Sequence, residues 1–440
     1  MPTSPADTQI LRARWVAPVA PEGAVLQDHA VVVEDDVIAA LLPIEDAQRR
    51  YPHARVVDLD QHILIPGLVN THTHAAMTLM RGIADDLPLM RWLEEHIWPA
   101  EAKHVSPEFV HDGTLLAIAE SLRGGVTCFN DMYFFPEVAA QAAVETGMRM
   151  SVGMIVIEFP TRYAADPQDY LAKGLAMRDA LKREPRLSFC LAPHAPYTVN
   201  DQTFERVMVL AEQLDVPVHL HLHETTGEIQ QSLALHMKRP MERMERLGVL
   251  SARLIAVHAV HLLDEEIKAL ARNGCSIAHC PSSNLKLASG IAPVAECLDA
   301  GVNVSLGTDG AASNNRLDMF EEMRLAALLA KAASGKADIL PAHRALKMAT
   351  LDGARALGLD RRIGSIEPGK QADLVAVNLS ALELSPCFDP LSHLVYAASR
   401  QDVSHAWVDG ELLLSDSRLT RIDTEQLRYR VERWRTALSL

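Results

Sequence analysis

Two histidines near residue 70 have the type and spacing of metal ligands. His72 and His74 lie directly after an apolar run over residues 63–69. Side chains two residues apart on a strand point to the same side, so both imidazoles would face one point. Imidazole nitrogen is a common ligand of zinc and iron(II). The pair therefore predicts half of a metal site, for which the rest of the chain must supply further ligands and a base.

Short apolar segments alternate with helix-length segments through the middle of the chain. Eight strands are predicted, the first containing the run before His72 and the others being residues 126–130, 148–156, 187–192, 218–222, 254–258, 275–279 and 302–307. Amphipathic stretches such as 201–214 and 264–273 lie between them, a pattern typical of parallel strands with helical crossovers. Eight such units over roughly 250 residues predict an α/β fold, the (β/α)8 TIM-type barrel, whose chemistry lies at the C-terminal ends of the strands.

Polar residues of the metal-binding type stand at nearly every predicted strand end. They are His72, His74, His194, His219, His221, His223, Glu224, His258, His261, His279 and Asp309. Any single histidine could pack in the core, and that interpretation is favoured for His219, His223 and His261, because alternate residues of parallel strands face the interior or the helices. The coincidence of so many at strand ends favours a metal site.

Strand-like segments at both ends of the chain predict a second, smaller domain. Residues 30–42 contain two short β-like runs, and residues 404–414 contain two more with an Asp-Gly turn between them. We expect a small β-sandwich domain built from residues 1–65 and 366–440, and a metal-dependent catalytic barrel over residues 66–365.

Composition restricts the class of protein and its partners. The 440 residues are 48% hydrophobic and carry a formal net charge of −15, which argues against nucleic acid and anionic membranes as partners. No stretch approaches the ~18 apolar residues of a membrane span, and the first residues lack a signal-peptide pattern, so we expect a cytoplasmic location. The six cysteines lack paired spacing, which favours reduced thiols over disulfides.

Several segments carry motifs that can be compared with known families. They are residues 66–74, 98–101, 193–197, 221–225, 257–262, 279–287, 307–310 and 364–373. Together they resemble the amidohydrolase superfamily, and more closely its branch of methylthioadenosine and S-adenosylhomocysteine deaminases, relatives of triazine hydrolases. The resemblance implies a mononuclear site with one Zn²⁺ per subunit, or Fe²⁺ in its place, held by four ligands: His72, His74, His221 and Asp309. In agreement, residues 187–192 lack the bridging lysine that a two-metal site would take from strand four.

The resemblance also implies catalytic roles around the metal. Glu224 corresponds to the proton shuttle, which protonates a ring nitrogen of the substrate. His258 corresponds to a residue that hydrogen-bonds the catalytic water instead of binding the metal. Asp309 is placed to accept a proton from that water. Glu224 and Asp309 are both also expected to contact the substrate.

Further residues are implied or suggested as substrate contacts. By resemblance, Glu101 accepts hydrogen bonds from two ribose hydroxyls and His194 touches the substrate. His279 either contacts the substrate or shapes the floor of the pocket. An apolar series beside the metal strand either packs in the core or lines a pocket for an uncharged group: Met77, Met80, Met90 and Trp92.

The expected activity is zinc-dependent hydrolytic deamination of an adenosine derivative. The expected substrate is 5′-methylthioadenosine, giving 5′-methylthioinosine and ammonia, with S-adenosylhomocysteine and adenosine as further candidates. Some relatives have an arginine in or just after strand three that pairs with the homocysteine carboxylate. Residues 151–156 contain none, and Arg162 is the next candidate, which favours the smaller methylthioadenosine.

Two other functions remain open from the sequence. One is deamination or dechlorination of another N-heterocycle, such as a triazine or guanine, and Glu101 is the feature that discriminates against it. The other is a metal-free scaffold protein, which the presence of all four ligands and Glu224 argues against. The resemblance further implies a homodimer or homotetramer that acts on a small-molecule nucleoside.

Overall fold

The computed structural model of the protein describes residues 8–439. The strands are β1 (Thr8–Val16), β2 (Leu26–Glu34), β3 (Val37–Pro43), β4 (Arg55–Pro66), β5 (Leu68–Thr73), β6 (Val126–Asp131), β7 (Arg149–Val156), β8 (Leu187–Pro193), β9 (Val218–Leu222), β10 (Leu254–His258), β11 (Ser276–His279), β12 (Asn303–Leu306), β13 (Leu374–Asn378), β14 (Val403–Val408), β15 (Glu411–Ser415) and β16 (Arg418–Leu419). The α-helices are α1 (Ile44–Arg50), α2 (Leu89–Trp92), α3 (Trp98–His104), α4 (Pro107–Arg123), α5 (Pro136–Thr146), α6 (Pro167–Leu181), α7 (Asp201–Leu214), α8 (Thr226–His236), α9 (Pro240–Arg246), α10 (Asp264–Arg272), α11 (Pro281–Lys286), α12 (Val294–Asp299), α13 (Met319–Ser334), α14 (Ala342–Met348), α15 (Leu351–Ala356), α16 (Pro390–Tyr396) and α17 (Thr424–Leu438). Short 3₁₀ turns cover Ala75–Met80, Leu382–Leu384 and Arg400–Asp402, and a π-helical turn over Leu93–Ile97 joins α2 to α3.

Strands β5 to β12 form one parallel sheet in which each strand pairs with the next along the chain. Strands β5, β6, β7, β9 and β10 are buried at every position, as expected for strands covered by helices outside and packed side chains inside. The sheet closes where the end of β12 lies beside β5. There the Asp309 N–H donates to the His72 carbonyl at 3.0 Å, and Thr71 Oγ1 donates to the Leu306 carbonyl at 2.8 Å. The predicted α/β barrel is confirmed.

The strands from the two ends of the chain form a separate mixed sheet, in the order β16-β15-β14-β13-β4-β1-β2-β3. Strand β4 lies at its centre, parallel to β1 and antiparallel to β13. Leu11, Leu374 and Trp407 share one apolar core, so both ends of the chain contribute to it. The predicted Asp-Gly turn is present between β14 and β15, where Asp409 and Gly410 both have positive φ. The predicted small β domain formed by both termini is thus part of the fold.

The apolar run over residues 63–69 is divided between the two sheets, contrary to the expectation of a single strand. Strand β4 ends at Pro66 in the terminal sheet, and β5 begins at Leu68 in the barrel. Proline has no N–H to donate to a ladder. Gly67 packs so tightly that a Cβ there would lie 2.0 Å from Oγ1 of Thr127. The chain therefore crosses between sheets at these two residues.

Four of the helices between the barrel strands, α4, α6, α7 and α8, begin at polar capping residues. Helix α7 starts at Asp201, as predicted, and Oδ1 of Asn200 accepts the Thr203 N–H at 2.9 Å. Helix α10 likewise occupies the predicted segment. Among the helices between residues 8 and 439, none is long and apolar enough to cross a membrane.

Candidate active site

Three histidines and one aspartate converge at the C-terminal ends of the barrel strands. Nε2 of His72 lies 3.1 Å from Oδ1 of Asp309 and 3.2 Å from Nε2 of His221. Nε2 of His74 lies 3.3 Å from the same Asp309 oxygen. His72 lies near the end of β5 and His74 follows it, His221 belongs to β9, and Asp309 follows β12. The barrel thus brings together all four predicted metal ligands.

The outer nitrogens of two of these histidines are already engaged with backbone carbonyls. Nδ1 of His74 lies 2.6 Å from the Met132 carbonyl, and Nδ1 of His221 lies 2.7 Å from the His194 carbonyl. Because a carbonyl can only accept, each ring carries its proton on Nδ1 and presents a lone pair at Nε2. Such lone pairs beside a carboxylate oxygen repel one another unless a cation lies between them. The residues therefore fit a divalent metal, and the donor set suits Zn²⁺ or Fe²⁺.

His219 contacts the ring nitrogen of His72 that points away from Asp309. Nδ1 of His72 lies 3.1 Å from Nε2 of His219, whose other nitrogen lies 3.0 Å from the side-chain amide of Asn130. Burial lowers the pKa of His72 to about 4 and the pKa of His219 well below its ordinary value, so both rings are neutral. His219 is a fully buried core histidine, as favoured from the sequence, but it also contacts a predicted ligand.

Asp309 is oriented by two serines. Ser283 Oγ and Ser313 Oγ donate to its Oδ2 at 2.7 and 2.8 Å, which directs Oδ1 toward the histidines. Burial by itself would raise the pKa of Asp309, but the hydrogen bond with His72 and the electrostatic interaction with the imidazoles of His72 and His74 hold this pKa well below its usual range. Asp309 is therefore a carboxylate in the folded protein.

Glu224 and His258 lie beside the ligand cluster. Oε2 of Glu224 is 3.8 Å from Nε2 of His258. Nδ1 of His258 donates to Oδ1 of Asn284 at 2.8 Å, so the neutral ring presents its Nε2 lone pair to the site. That nitrogen lies within 4.8 Å of ring nitrogens of His72 and His221. Burial raises the pKa of Glu224, which suits a group that must deliver a proton near neutral pH.

A cavity of about 530 Å³ opens from this cluster. The predicted site residues that line it are His74, Glu101, Trp92, His194, His221, Glu224, His258 and Asp309. His72 is fully buried behind the cavity wall. His279 is not brought to the wall either, because it is buried at the end of β11, where its Nδ1 has no hydrogen-bond partner within residues 8–439. The structure thus offers no contact between His279 and a ligand in this cavity.

Much of the remaining wall is aromatic or aliphatic, and most of it was not predicted. The main contributors are Leu93, Trp98, Phe134, Ile157, Phe159 and Tyr163. The methionine series does not form one niche: Met77 lines the cavity, Met80 is buried in the core, and Met90 is 40% exposed. Helix α2 presents Met90 to solvent and Trp92 to the cavity, so only part of the series can meet a ligand.

Glu101 lies on α3 at the cavity wall, where it is half-buried. Tyr133 Oη donates a hydrogen bond to Oε1 of Glu101 at 2.8 Å. Burial raises the pKa of Glu101 to about 7, although the bond from Tyr133 opposes the shift. Sequence reasoning missed Tyr133, and its place just after strand β6 is the signal that could have found it.

Asp131 is a second residue that the sequence did not reveal. It ends β6, and its Oδ1 accepts the Ala75 N–H at 2.7 Å and the Thr73 hydroxyl at 3.0 Å. These bonds hold the Thr73 side chain and the Ala75 backbone, on either side of His74. Burial raises the pKa of Asp131 to about 6. Like Tyr133, it lies at a barrel strand end where polar residues have functional roles.

Arg162 also lines the cavity, in the connection after β7. Its guanidinium donates to the Val105 carbonyl at 3.3 Å. The arginine that the sequence left in doubt is therefore at the wall, although it does not lie within the strand itself.

Comparison with known proteins gives consistent matches. The amidohydrolase family model matches residues 63–413. A 5-methylthioadenosine/S-adenosylhomocysteine deaminase from Teredinibacter turnerae is 45% identical over 428 residues, which cover 97% of each chain. The crystal structure of an adenosine deaminase from Xanthomonas campestris with bound zinc has a TM-score of 0.97 and 51% identity over the whole of both chains. A triazine hydrolase from Arthrobacter aurescens has a TM-score of 0.90 at 26% identity, covering 97% of this chain and 99% of its own.

Proposed function

The chain belongs to the amidohydrolase family and is a metal-dependent hydrolytic deaminase, and we propose that it uses one Zn²⁺ to convert 5′-methylthioadenosine to 5′-methylthioinosine and ammonia. One observation carries this proposal: a single cavity joins the four-ligand cluster and Glu224 to the carboxylate of Glu101. A purine at the cluster would extend its ribose along the cavity. Glu101 would then meet the sugar hydroxyls, which triazines and free bases lack.

The four residues His72, His74, His221 and Asp309 would hold the metal. When bound, a zinc ion lowers the pKa of water from 15.7 to about 7 and supplies hydroxide at neutral pH. Fe²⁺ shares this ligand preference. The zinc bound in the similar adenosine deaminase structure supports Zn²⁺ as the choice.

Three side chains would manage the protons of the reaction. Glu224 takes one proton from water and delivers it to the ring nitrogen beside the amine-bearing carbon, which keeps negative charge off the ring as the water oxygen bonds to that carbon. His258 accepts a hydrogen bond from the attacking water at Nε2, because Asn284 accepts from Nδ1 and so selects the tautomer of the neutral ring with its lone pair at Nε2. Asp309 takes the second proton, which passes to the amine, and ammonia leaves.

The apolar wall beyond Glu101 favours an uncharged 5′ substituent. Trp98 lies one turn before Glu101 on α3, so both face the cavity, and the Trp98 ring meets Phe159 edge-on with 6.1 Å between ring centroids. A methylthio group is polarizable and packs well against aromatic rings. Because a small apolar group in a fitted pocket is worth roughly 1–3 kcal/mol, kcat/KM for methylthioadenosine should exceed that for adenosine by about 10- to 200-fold.

S-Adenosylhomocysteine is a second candidate substrate, favoured by the position of Arg162 at the same wall. A guanidinium can bind the carboxylate of a homocysteine tail through two hydrogen bonds. The ammonium of that tail must either leave water, which carries a desolvation cost, or stay at the mouth of the cavity. We therefore expect turnover of S-adenosylhomocysteine below that of methylthioadenosine.

A substrate panel tests this function. Ammonia release should be fastest with methylthioadenosine, slower with adenosine and S-adenosylhomocysteine, and slowest with adenine, and metal analysis should find one zinc per chain. Equal rates for adenine and methylthioadenosine would contradict the role of Glu101. Preference for guanine or a chlorinated triazine over every nucleoside would overturn the assignment, and a purified chain without metal or turnover would support the scaffold alternative.

A further inference from the structure

The carboxylate of Glu228 holds the backbone that carries Glu224. Glu228 is the third residue of α8, and its side chain is almost fully buried. Its Oε1 accepts the N–H of His223 at 3.0 Å, and its Oε2 accepts the N–H of Glu224 at 2.8 Å. The Glu228 N–H in turn donates to Oγ1 of Thr225, the N-cap, at 3.2 Å. Glu228 therefore links the connection after β9 to the first turn of α8.

This arrangement differs from an ordinary capping box. In a capping box, the carboxylate at the third helical position accepts the N–H of the N-cap residue, which here is Thr225. The Glu228 carboxylate reaches one and two residues further back, to Glu224 and His223. Two successive N–H groups can converge on one anion because His223 has a φ of +58°, in the left-handed region that non-glycine residues rarely adopt. Glu228 thus holds the backbone that precedes the N-cap, while Thr225 caps the helix by accepting the Glu228 N–H.

The side chain of Glu224 has few contacts of its own to define its position. Among residues 8–439, its side-chain hydrogen-bond and ion-pair partners are Ser289 Oγ at 3.5 Å and His258 Nε2 at 3.8 Å, both at or beyond the limit of a hydrogen bond. Its reach into the cavity therefore depends on where its backbone is held. Burial raises the pKa of Glu228 to about 7 despite the two backbone donors, so keeping a carboxylate here is costly.

We propose that Glu228 is a positioning residue that sets the reach of Glu224 toward the reacting ring nitrogen, which rests on the proposed role of Glu224 as proton shuttle. Proton transfer needs donor and acceptor within hydrogen-bond distance, and a displacement of 1 Å can cost about 10²-fold in rate. Loss of the Glu228 carboxylate frees the turn and moves Glu224 by such amounts. His221, the predicted metal ligand on β9, keeps its own hydrogen bond from Nδ1 to the His194 carbonyl at 2.7 Å. The other predicted ligands and Glu101 lie on other elements, so metal binding and substrate binding remain in place.

A double-mutant cycle tests this proposal with methylthioadenosine as substrate. E228A should lower kcat by about 10- to 100-fold, with KM changed by less than about 3-fold and zinc content unchanged. In an E224Q background, the same change should lower kcat by less than about 3-fold, because the group it positions is already gone. Asp402 provides a matched control: its carboxylate accepts the Ser399 N–H at 2.7 Å at a turn before β14, and D402N should leave kcat unchanged.

Each alternative outcome is distinct. If E228A lowers kcat by the same factor in both backgrounds, or changes KM or zinc content as strongly as kcat, Glu228 supports the fold in general and the proposal is wrong. If E224Q itself retains wild-type kcat, the proton shuttle is wrong as well. E228Q keeps the side-chain volume and one acceptor, so it takes the place of E228A if the alanine variant does not fold, and the same criteria apply.

Discussion

Tyr133 Oη donates a hydrogen bond of 2.8 Å to Oε1 of Glu101, and so joins the connection after β6 to helix α3 at the cavity wall. Y133F removes this bond and leaves the carboxylate less well oriented for the ribose. Because a hydrogen bond to a charged group is worth roughly 1.5–3 kcal/mol, KM for methylthioadenosine should rise by about 10- to 100-fold while kcat changes little. Initial-rate kinetics measure both. A dideoxyadenosine that lacks both ribose hydroxyls serves as the control substrate, and its KM should be the same for Y133F and wild type.

The raised pKa of Glu101 gives nucleoside binding a defined pH dependence. Burial raises this pKa to about 7, and only the carboxylate can accept hydrogen bonds from both ribose hydroxyls. Binding should therefore weaken as pH falls through about 7 and reach full strength above it. The ratio of kcat/KM between wild type and E101Q isolates this group, and it should rise about tenfold per pH unit below 7 and then level off. A ratio independent of pH would show that Glu101 does not titrate in this range or does not bind ribose.

Removal of the Glu224 carboxylate should separate proton transfer from metal binding. E224Q keeps the size of the side chain and loses its titratable proton, so zinc content should stay near one per chain while kcat falls at least ~10²-fold. H72A removes a ligand and should lose both zinc and activity. Elemental analysis and ammonia release on the same preparations distinguish the two. Wild-type turnover by E224Q would refute the assigned role.

The buried ion pairs of Arg149 should contribute strongly to the stability of the contact between the barrel and the terminal sheet. The Arg149 guanidinium makes two hydrogen bonds of 2.9 Å to Asp373 and a further one to Asp409, and its side chain is 2% exposed. R149M leaves the Asp373 carboxylate buried without its cationic partner, while Asp409 keeps its ion pair with Arg186 at 3.1 Å. The free energy of unfolding should therefore fall by about 3–5 kcal/mol. Urea denaturation measures the change. R435M, which breaks the exposed Arg435–Glu432 pair, should leave the midpoint unaltered.

The barrel, and the grouping of polar residues at the C-terminal ends of its strands, could be predicted from the sequence because both depend on simple rules. The parallel strands carry continuous apolar segments, and the C-terminal ends of parallel strands share one face of a barrel. His72, His74, His221 and Asp309 each lie at such an end, so their meeting follows from topology. The roles assigned to them remain predictions that the variants above test.

Residues that act through a single hydrogen bond could not be predicted in the same way. Ser283, Ser313 and Asn284 orient Asp309 and His258, yet serine and asparagine are common in loops and carry no spacing signal of their own. The partners of Ser283 and Asn284, which lie on α11, belong to other elements and are set only by tertiary packing. Ser313 reaches Asp309 only because the connection after β12 turns back on itself between them. The same holds for Tyr133 and for the wall residue Phe159, whose contacts with α3 depend on how that helix covers the barrel.

The crossing at Pro66 and Gly67 limits how this enzyme can be rebuilt from parts. Strand β4 is paired on both sides within the terminal sheet, and the next residues donate to both units: the Gly67 N–H to the Asp373 carbonyl at 2.9 Å and the Leu68 N–H to the Gly125 carbonyl at 3.0 Å. His72 follows only four residues after Leu68. The terminal domain therefore cannot be replaced as an independent unit. In a chimera joined at this crossing, the junction would adjoin β5, the strand that presents the first predicted metal ligands. A junction at the hairpin between β14 and β15 would lie outside that strand.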